Sequence, residues 1–216
     1  MAEPSRLVLA TANPGKVREL TELLGDQFLV AARPGDLAET VEDGKTLLEN
    51  ATKKAVEVFV HTGCMAMADD TGLFVEALGG KPGVRSARFA GPDSDDAANR
   101  AKLLEELTGF GNEPDRRRAY FETVVAIVGA STTTGSGEDD AVTGPVVTQL
   151  APLVGRGRVH GHIVTAPRGD GGFGYDCIFQ PDDGDGRTFA EMDLAEKQAI
   201  SHRHLALAQA RKLLTD

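Results

Sequence analysis

The 216-residue chain has no tryptophan, two cysteines and few aromatic residues, 5% of the total. Two thiols, Cys64 and Cys177, are too few for a disulfide scaffold. A reducing compartment is expected, without a Cys64–Cys177 bridge. Positive charge is also scarce: 23 Lys and Arg stand against 33 Asp and Glu, a formal net charge of −10. That balance argues against nucleic acid or an anionic membrane as a partner held by bulk charge. It leaves room for a small anionic ligand, because a few local cations reverse the sign at one site. No apolar run approaches the ~18 residues of a membrane span. Met1 to Arg6 lack the apolar core of a signal peptide, so a cytoplasmic protein is expected. What is present is ordinary: 41% hydrophobic and 26% charged residues, enough for one α/β domain over residues 1–216.

Residues 7–10, Leu-Val-Leu-Ala, read as a buried strand. A loop over 11–16 follows, then a helix carrying Val17, Leu20, Leu23 and Leu24. A second helix is predicted over 46–60, with Leu47, Leu48, Ala51, Ala55 and Val58 at helical spacing, and Gly63 closing that region. Residues 65–68 read as a buried strand running into Asp69-Asp70-Thr71-Gly72. A third helix starts near Asp93 or Ser94, both fit to cap it, and carries Leu103, Leu104 and Leu107. Residues 119–128 form a strand, and 146–150, 158–164 and 177–179 read as further strands. The tract 131–144, rich in Thr, Gly and Asp, reads as a hairpin tip or insertion. A last helix spans about 194–214, with Ile200, Leu205, Ala208 and Leu213 inward. Isolated strands mixed with helices, then a run of strands, then a helix, predict one mixed-sheet α/β domain.

Five clusters suit chemistry. Thr11-Ala12-Asn13-Pro14-Gly15-Lys16 joins a strand to a helix, and a helix N-terminus with a lysine suits a phosphate. It is equally compatible with a plain turn. Asp69-Asp70 ends an apolar strand, where neighbouring side chains point to opposite faces and need a cation or donors to stay ionised. Glu49-Asn50 lies inside the second helix, where a carboxylate suits a metal or faces solvent. In Gly171-Gly172-Phe173-Gly174-Tyr175-Asp176, glycines let the backbone approach a flat ligand, and Phe173 or Tyr175 suits stacking on a base. Glu196-Lys197 and Ser201-His202-Arg203 close the set. Six residues of one helix turn about 600°, so Lys197 and Arg203 come together only if the helix breaks, for example with Ser201 starting a new one. His160 and His162, the run Arg116-Arg117-Arg118, and Cys177 carry no comparable signal.

The order of these motifs is more telling than any one of them. The segments 11–16, 49–51 (Glu-Asn-Ala), 68–73 (Ala-Asp-Asp-Thr-Gly-Leu), 82–89 (Pro-Gly-Val-Arg-Ser-Ala-Arg-Phe), 172–176 and 196–203 resemble the Ham1/RdgB family of inosine/xanthosine triphosphate pyrophosphatases. The likeness spans nearly the whole chain, from Leu7 to about Leu213. It implies an elongated mixed β-sheet flanked by helices, in two lobes with a central nucleotide cleft. It also implies a homodimer, Mg²⁺, and hydrolysis of a purine nucleoside triphosphate between the α- and β-phosphates.

Carried over by position, Thr11, Ala12, Asn13, Pro14, Gly15 and Lys16 would hold the triphosphate. Asp70 would be metal ligand and proton acceptor. Thr71, usually Ser in the family, would touch substrate. Phe173, Gly174, Tyr175, Asp176, Lys197, His202 and Arg203 would complete the nucleotide site. Val41 stands where the family often has a carboxylate, which leaves the second metal ligand open among Glu42, Glu49 and Asp69. Cys177 stands where Pro is usual. Donors from His202 or Arg203 would pair with a purine 6-oxo group and leave an adenine amino group unpaired, a mismatch that costs a factor of about 10⁴ or more. Two alternatives share these residues: a Maf-type pyrophosphatase for pyrimidine or modified nucleotides, and a nucleotide sensor that binds without turnover.

Overall fold

Leu7, Val8 and Leu9 are each no more than 1% exposed, because their strand is covered on both faces and paired on both edges. The computed structural model describes residues 5–129 and 151–215. The expected strand over 146–150 and the tract 131–144 lie outside the described residues. Strand β1 (Ser5–Leu9) is followed by α1 (Pro14–Leu24), whose N-terminus is capped by the Asn13 side chain accepting from Lys16 N. Proline as an early helical residue costs no hydrogen bond there. Strand β2 (Phe28–Ala31) pairs parallel with β1. It was not expected from the sequence: it is a short edge strand whose Leu29 is 60% exposed, so it carries no alternation. Helix α2 (Leu47–Thr62) starts on a capping box between Thr46 and Glu49 and ends at left-handed Gly63, where a side chain would be strained.

Strand β3 (Met65–Val75) runs seven residues past the expected end at Ala68, straight through Asp69, Asp70 and Thr71. It lies parallel to β1. The short β4 (Pro82–Gly83) pairs with its far end. Helix α3 (Asp96–Glu106) is capped by Asp95 rather than Asp93 or Ser94. The Ser94 hydroxyl instead donates to Gly91 O and Asn99 Oδ1. Strands β5 (Arg118–Val128) and β6 (Leu153–Ile163) complete a long antiparallel core with β3, and β7 (Phe179–Pro181) forms the edge. Of the strand expected over 177–179, the first two residues belong instead to a 3₁₀ turn, Asp176–Ile178. The sheet order is β2-β1-β3-β5-β6-β7, with β4 beside β3. Parallel pairs on one side and antiparallel pairs on the other make it a mixed sheet.

The last helix is two helices. α4 (Leu194–Ile200) ends at Ser201, whose backbone is extended, and α5 (His202–Thr215) begins at once. The Ser201 hydroxyl accepts from His204 N at 3.2 Å, the N-cap role expected if the helix broke. The break shifts the phase, so Leu205 and Leu213 are 43% and 46% exposed, not inward. Ala206, Leu207 and Ala210 face the sheet instead.

Strand β6 begins five residues before the expected Arg158, and α5 explains both the strand and its weak signal. A Cβ on Gly155 would lie 2.0 Å from Ala206 O, and one on Gly157 would lie 2.1 Å from His202 O. Glycine lowers strand propensity, but here it lets a helix backbone rest on the sheet. Gly155→Ala is expected to lower the unfolding free energy by about 1–3 kcal/mol, the cost of overpacking, read as an earlier urea midpoint. An unchanged midpoint would mean that α5 is not seated on β6.

Three apolar clusters place the working residues. On one face of β1, β3 and β5, α2 covers Val8, Ala66, Ala68, Val124 and Ala126. On the other, α1 and α5 cover Leu7, Leu9, Met67, Val125 and Ile127. A third cluster, with Leu73, Val75, Phe121, Val159, Phe179 and Phe189, fills the opposite end of the same strands. The segment 69–71 of β3 lies between these cores, where the long strands pass from one lobe to the other. Among the described residues, no helix is long and apolar enough to cross a membrane.

Candidate active site

The loop 11–16 is shaped by its own side chains. Asn13 N donates to Thr11 Oγ1 at 3.2 Å, and Asn13 Oδ1 accepts from Lys16 N at 3.1 Å. These bonds turn the chain into α1 and leave Thr11 and Ala12 lining a hollow with Lys16, Arg33, Lys54 and Arg88. Four cations beside a helix start suit a polyphosphate. Gly15 is required for a different reason: a Cβ there would come 2.6 Å from Phe173 Cδ1. The loop thus touches the glycine-rich segment far along the chain. Pro14 lines a separate hollow with Phe173 and Lys197.

Asp69 and Asp70 point to opposite faces of β3, as strand alternation requires. Asp70 faces α2. Its Oδ2 accepts from Asn50 Nδ2 at 3.2 Å, and its Oδ1 accepts from Lys54 Nζ at 3.0 Å. Lys54 Nζ also donates to Glu42 Oε1 at 2.9 Å and to Asp69 O at 2.8 Å. One ammonium therefore joins two carboxylates. Glu42 is held from its other side by Arg88 Nη1 at 3.3 Å. Burial pushes the Asp70 carboxyl above its ordinary value, with Lys54 and Lys16 opposing. Burial also acts on Glu42, but Lys54, with Lys16 and Arg88, outweighs it and holds that carboxyl low.

Glu49 is not brought into this cluster. Its Oε2 accepts from Lys45 N and Thr46 N, at 2.5 and 3.3 Å, and closes the cap of α2. Its neighbour Asn50 is the residue of that pair that faces inward.

Asp69 faces α1 and α5. Its Oδ2 meets Lys16 Nζ at 3.1 Å and Arg203 Nε at 3.2 Å. Burial alone would raise the Asp69 carboxyl, but the Lys16 and Arg203 charges hold it well below the carboxylate range. Among the described residues, its Oδ1 is buried without a hydrogen-bond partner. Arg203 is 1% exposed and fully tied: Nη1 bonds Glu19 Oε2, and Nη2 donates to Thr71 Oγ1 at 3.3 Å. Lys197 Nζ sits between Glu19 Oε1 and Asp176 Oδ2, each at 2.7 Å. The break at Ser201 thus brings Lys197 and Arg203 to one carboxylate, Glu19.

The segment 172–176 supplies a ring and its support. Phe173 lies under two cations, 5.1 Å from Lys197 Nζ and 5.5 Å from Arg203 Cζ. Asp176 Oδ2 accepts from Phe173 N at 2.9 Å, and Gly174 N donates to Asp96 Oδ2 at 2.7 Å. Tyr175 is 5% exposed, and its hydroxyl donates to Ser86 O at 2.8 Å. Phe173 is therefore the ring free to stack, and Tyr175 braces the wall behind it. His202 lies with its Nδ1 2.7 Å from Thr123 Oγ1 and its ring 4.7 Å from that of Phe121. Burial, reinforced by Arg203, pushes its imidazole well below the ordinary value, so it is neutral. Lys16, Asp70, Thr71, Phe173, Lys197 and His202 line one open cleft, which brings a carboxylate, two lysines, an imidazole and an aromatic ring together.

A carboxylate and a flat ring in one cleft, joined through Lys16 to a cationic hollow, are the parts of a nucleotide-hydrolysing site. The Ham1 family description matches residues 7–213. The chain belongs to the Ham1 family. It is 44% identical to the dITP/XTP pyrophosphatase of Syntrophobacter fumaroxidans, over 97% of this chain and 82% of that one. It is also 44% identical to the dITP/XTP pyrophosphatase of Mycobacterium tuberculosis strain H37Rv, over 96% and 94%. Among solved structures, a HAM1 protein from Coxiella burnetii superposes with a TM-score of 0.79 at 37% identity, covering 98% of each chain. A nucleoside-triphosphatase, or dITP/XTP pyrophosphatase, from Mycobacterium abscessus gives 0.68 at 38% identity, over 94% and 97%.

Within this Ham1 chain, sequence reading missed Glu19, Lys54, Arg88 and Thr123. Signals existed for two of them: Lys54 lies one turn after Asn50, on the inward face of α2, and Arg88 stands within the ordered segment 82–89. Glu19 looks like any surface acid of α1, and only the packing of α4 and α5 over it makes it a hub. Thr123 looks like one more strand residue until Thr71 is placed opposite it in register.

Proposed function

We propose that this chain hydrolyses aberrant purine nucleoside triphosphates (ITP, dITP and XTP) to the monophosphate and pyrophosphate, clearing them from the nucleotide pool. The observation that carries this reading is Asp70: a buried carboxylate, raised by its burial, in the same cleft as Lys16 of the 11–16 loop. Water attacking the α-phosphorus loses a proton, and a buried carboxylate in reach of that water takes it. Pyrophosphate leaves with added negative charge, which Lys16 and Lys54 are placed to neutralise.

Among the described residues, no three His, Cys, Asp or Glu side chains are grouped to hold a metal ion. Two carboxylates on one ammonium, Glu42 and Asp70, nevertheless fit Mg²⁺, which takes one or two carboxylates and fills its shell with phosphate oxygens and water. Bound there, Mg²⁺ would neutralise phosphate charge and acidify a water. The neutral His202 and the Phe173 ring, both lining the cleft, support a purine as the base. Two free thiols and the family likeness support a single-domain, cytoplasmic homodimer.

With Mg²⁺ present, ITP and XTP are expected to yield pyrophosphate. A phosphate assay such as malachite green should stay blank until inorganic pyrophosphatase is added. Phosphate released without that addition would overturn the reading. Turnover of dTTP or UTP ahead of ITP and XTP would point to the Maf-type alternative.

A further inference from the structure

We propose that Thr123 sets the tautomer of His202, and through it the preference for a 6-oxo purine over adenine. The proposal rests on the reading of this cleft as a purine nucleotide site. Thr123 lies on β5 directly opposite Thr71 on β3 and is fully buried. Its hydroxyl is 2.7 Å from Thr71 Oγ1 on one side and 2.7 Å from His202 Nδ1 on the other. A neutral imidazole carries one proton, so one ring nitrogen donates and the other accepts. Whichever way Thr123 points its proton decides which is which.

The proposed direction starts at the far end of the chain of bonds. Thr71 Oγ1 accepts from Arg203 Nη2 at 3.3 Å, so its own single proton points elsewhere. Two acceptors compete for it. Asp69 Oδ2 is 3.3 Å away and already takes Lys16 and Arg203. Thr123 Oγ1 is at 2.7 Å, the common distance for a hydroxyl donating to oxygen. In the proposed relay the Thr71 proton takes the shorter contact and goes to Thr123, and Thr123 gives its own to His202 Nδ1. Nε2 is left with the imidazole proton, as a donor in a residue that lines the cleft. A 6-oxo oxygen accepts from such a donor. The 6-amino group of adenine meets it N–H against N–H, and both groups lose their partners. Guanine keeps the oxo group, so its separation from hypoxanthine lies in other contacts.

The test combines ¹⁵N-resolved NMR of the His202 imidazole with kcat and KM for ITP and ATP, in the whole chain, its Thr123→Val variant and its Thr123→Ser variant. The wild-type imidazole should carry its proton on Nε2. Thr123→Val cuts the relay, and the ITP-to-ATP ratio of kcat/KM should fall about ten- to a hundred-fold, the factor for one hydrogen bond to a buried group. Thr123→Ser should restore the ratio. A purely structural role would lower both substrates alike and leave the ratio unchanged, which would overturn the proposal. A wild-type imidazole protonated on Nδ1 would also overturn it, whether or not the valine variant folds. Absence of pyrophosphate from ITP in the wild type would instead remove the pyrophosphatase reading, and the NMR result would still decide the role of Thr123.

Discussion

Asp70→Asn should lower kcat for ITP hydrolysis by about 10²–10⁴, the range for a positioned general base, while the protein stays folded. The exchange keeps the side chain's size and removes its charge and proton affinity. The site is built to notice that loss. Asp70 is 6% exposed, so water does not replace what the carboxylate does. Lys54 keeps Glu42 and the Asp69 carbonyl, so no buried ammonium is left without partners, and a large fall in stability is not expected. Pyrophosphate release at saturating ITP measures the first effect, and a thermal melt checks the second. A kcat within about threefold of wild type, some 0.6 kcal/mol of barrier, would take Asp70 out of the chemistry. Loss of activity together with the fold would show the residue to be structural.

Glu19→Ala should destabilise the protein by about 3 kcal/mol, the low end of the range for breaking a buried ion pair. The low end applies because Lys197 retains Asp176 and Arg203 retains Asp69. Glu19→Gln should cost less and should change the response to acid. Burial would raise the Glu19 carboxyl, but Arg203 and Lys197 hold it below its ordinary value of 4.5. A carboxyl with a depressed folded-state pKa contributes stability that is present above its unfolded value and lost as pH falls through the folded one. The gap in unfolding free energy between wild type and Glu19→Gln should therefore be widest above about pH 5 and close as the solution becomes more acidic. Urea titrations at a series of pH values measure it. A gap independent of pH would mean that the Glu19 charge does nothing for the fold.

Both variants bear on residues of very different legibility. Asp70 was visible because two acids at the end of an apolar strand need a reason to be there. The strand did not in fact end. It continues to Val75 because β5 pairs with every residue through that stretch, and a local pattern cannot show a partner 50 residues away. Glu19 and Thr123 carried no signal, since their roles are contacts with α4 and α5 that form only when the chain's two ends meet.

From sequence alone came the mixed α/β class, most of the elements, and the ordered segments from 11–16 to 196–203 that mark the family. Local rules govern these: apolar periodicity, a cap such as Ser201, and residue types that hold phosphate. The tertiary structure decided which carboxylate meets which cation. It paired Glu42 with Lys54, turned Tyr175 into support and left Phe173 to face the cleft. Those outcomes depend on which face of a strand or helix is covered, and that is set by the neighbour that packs there.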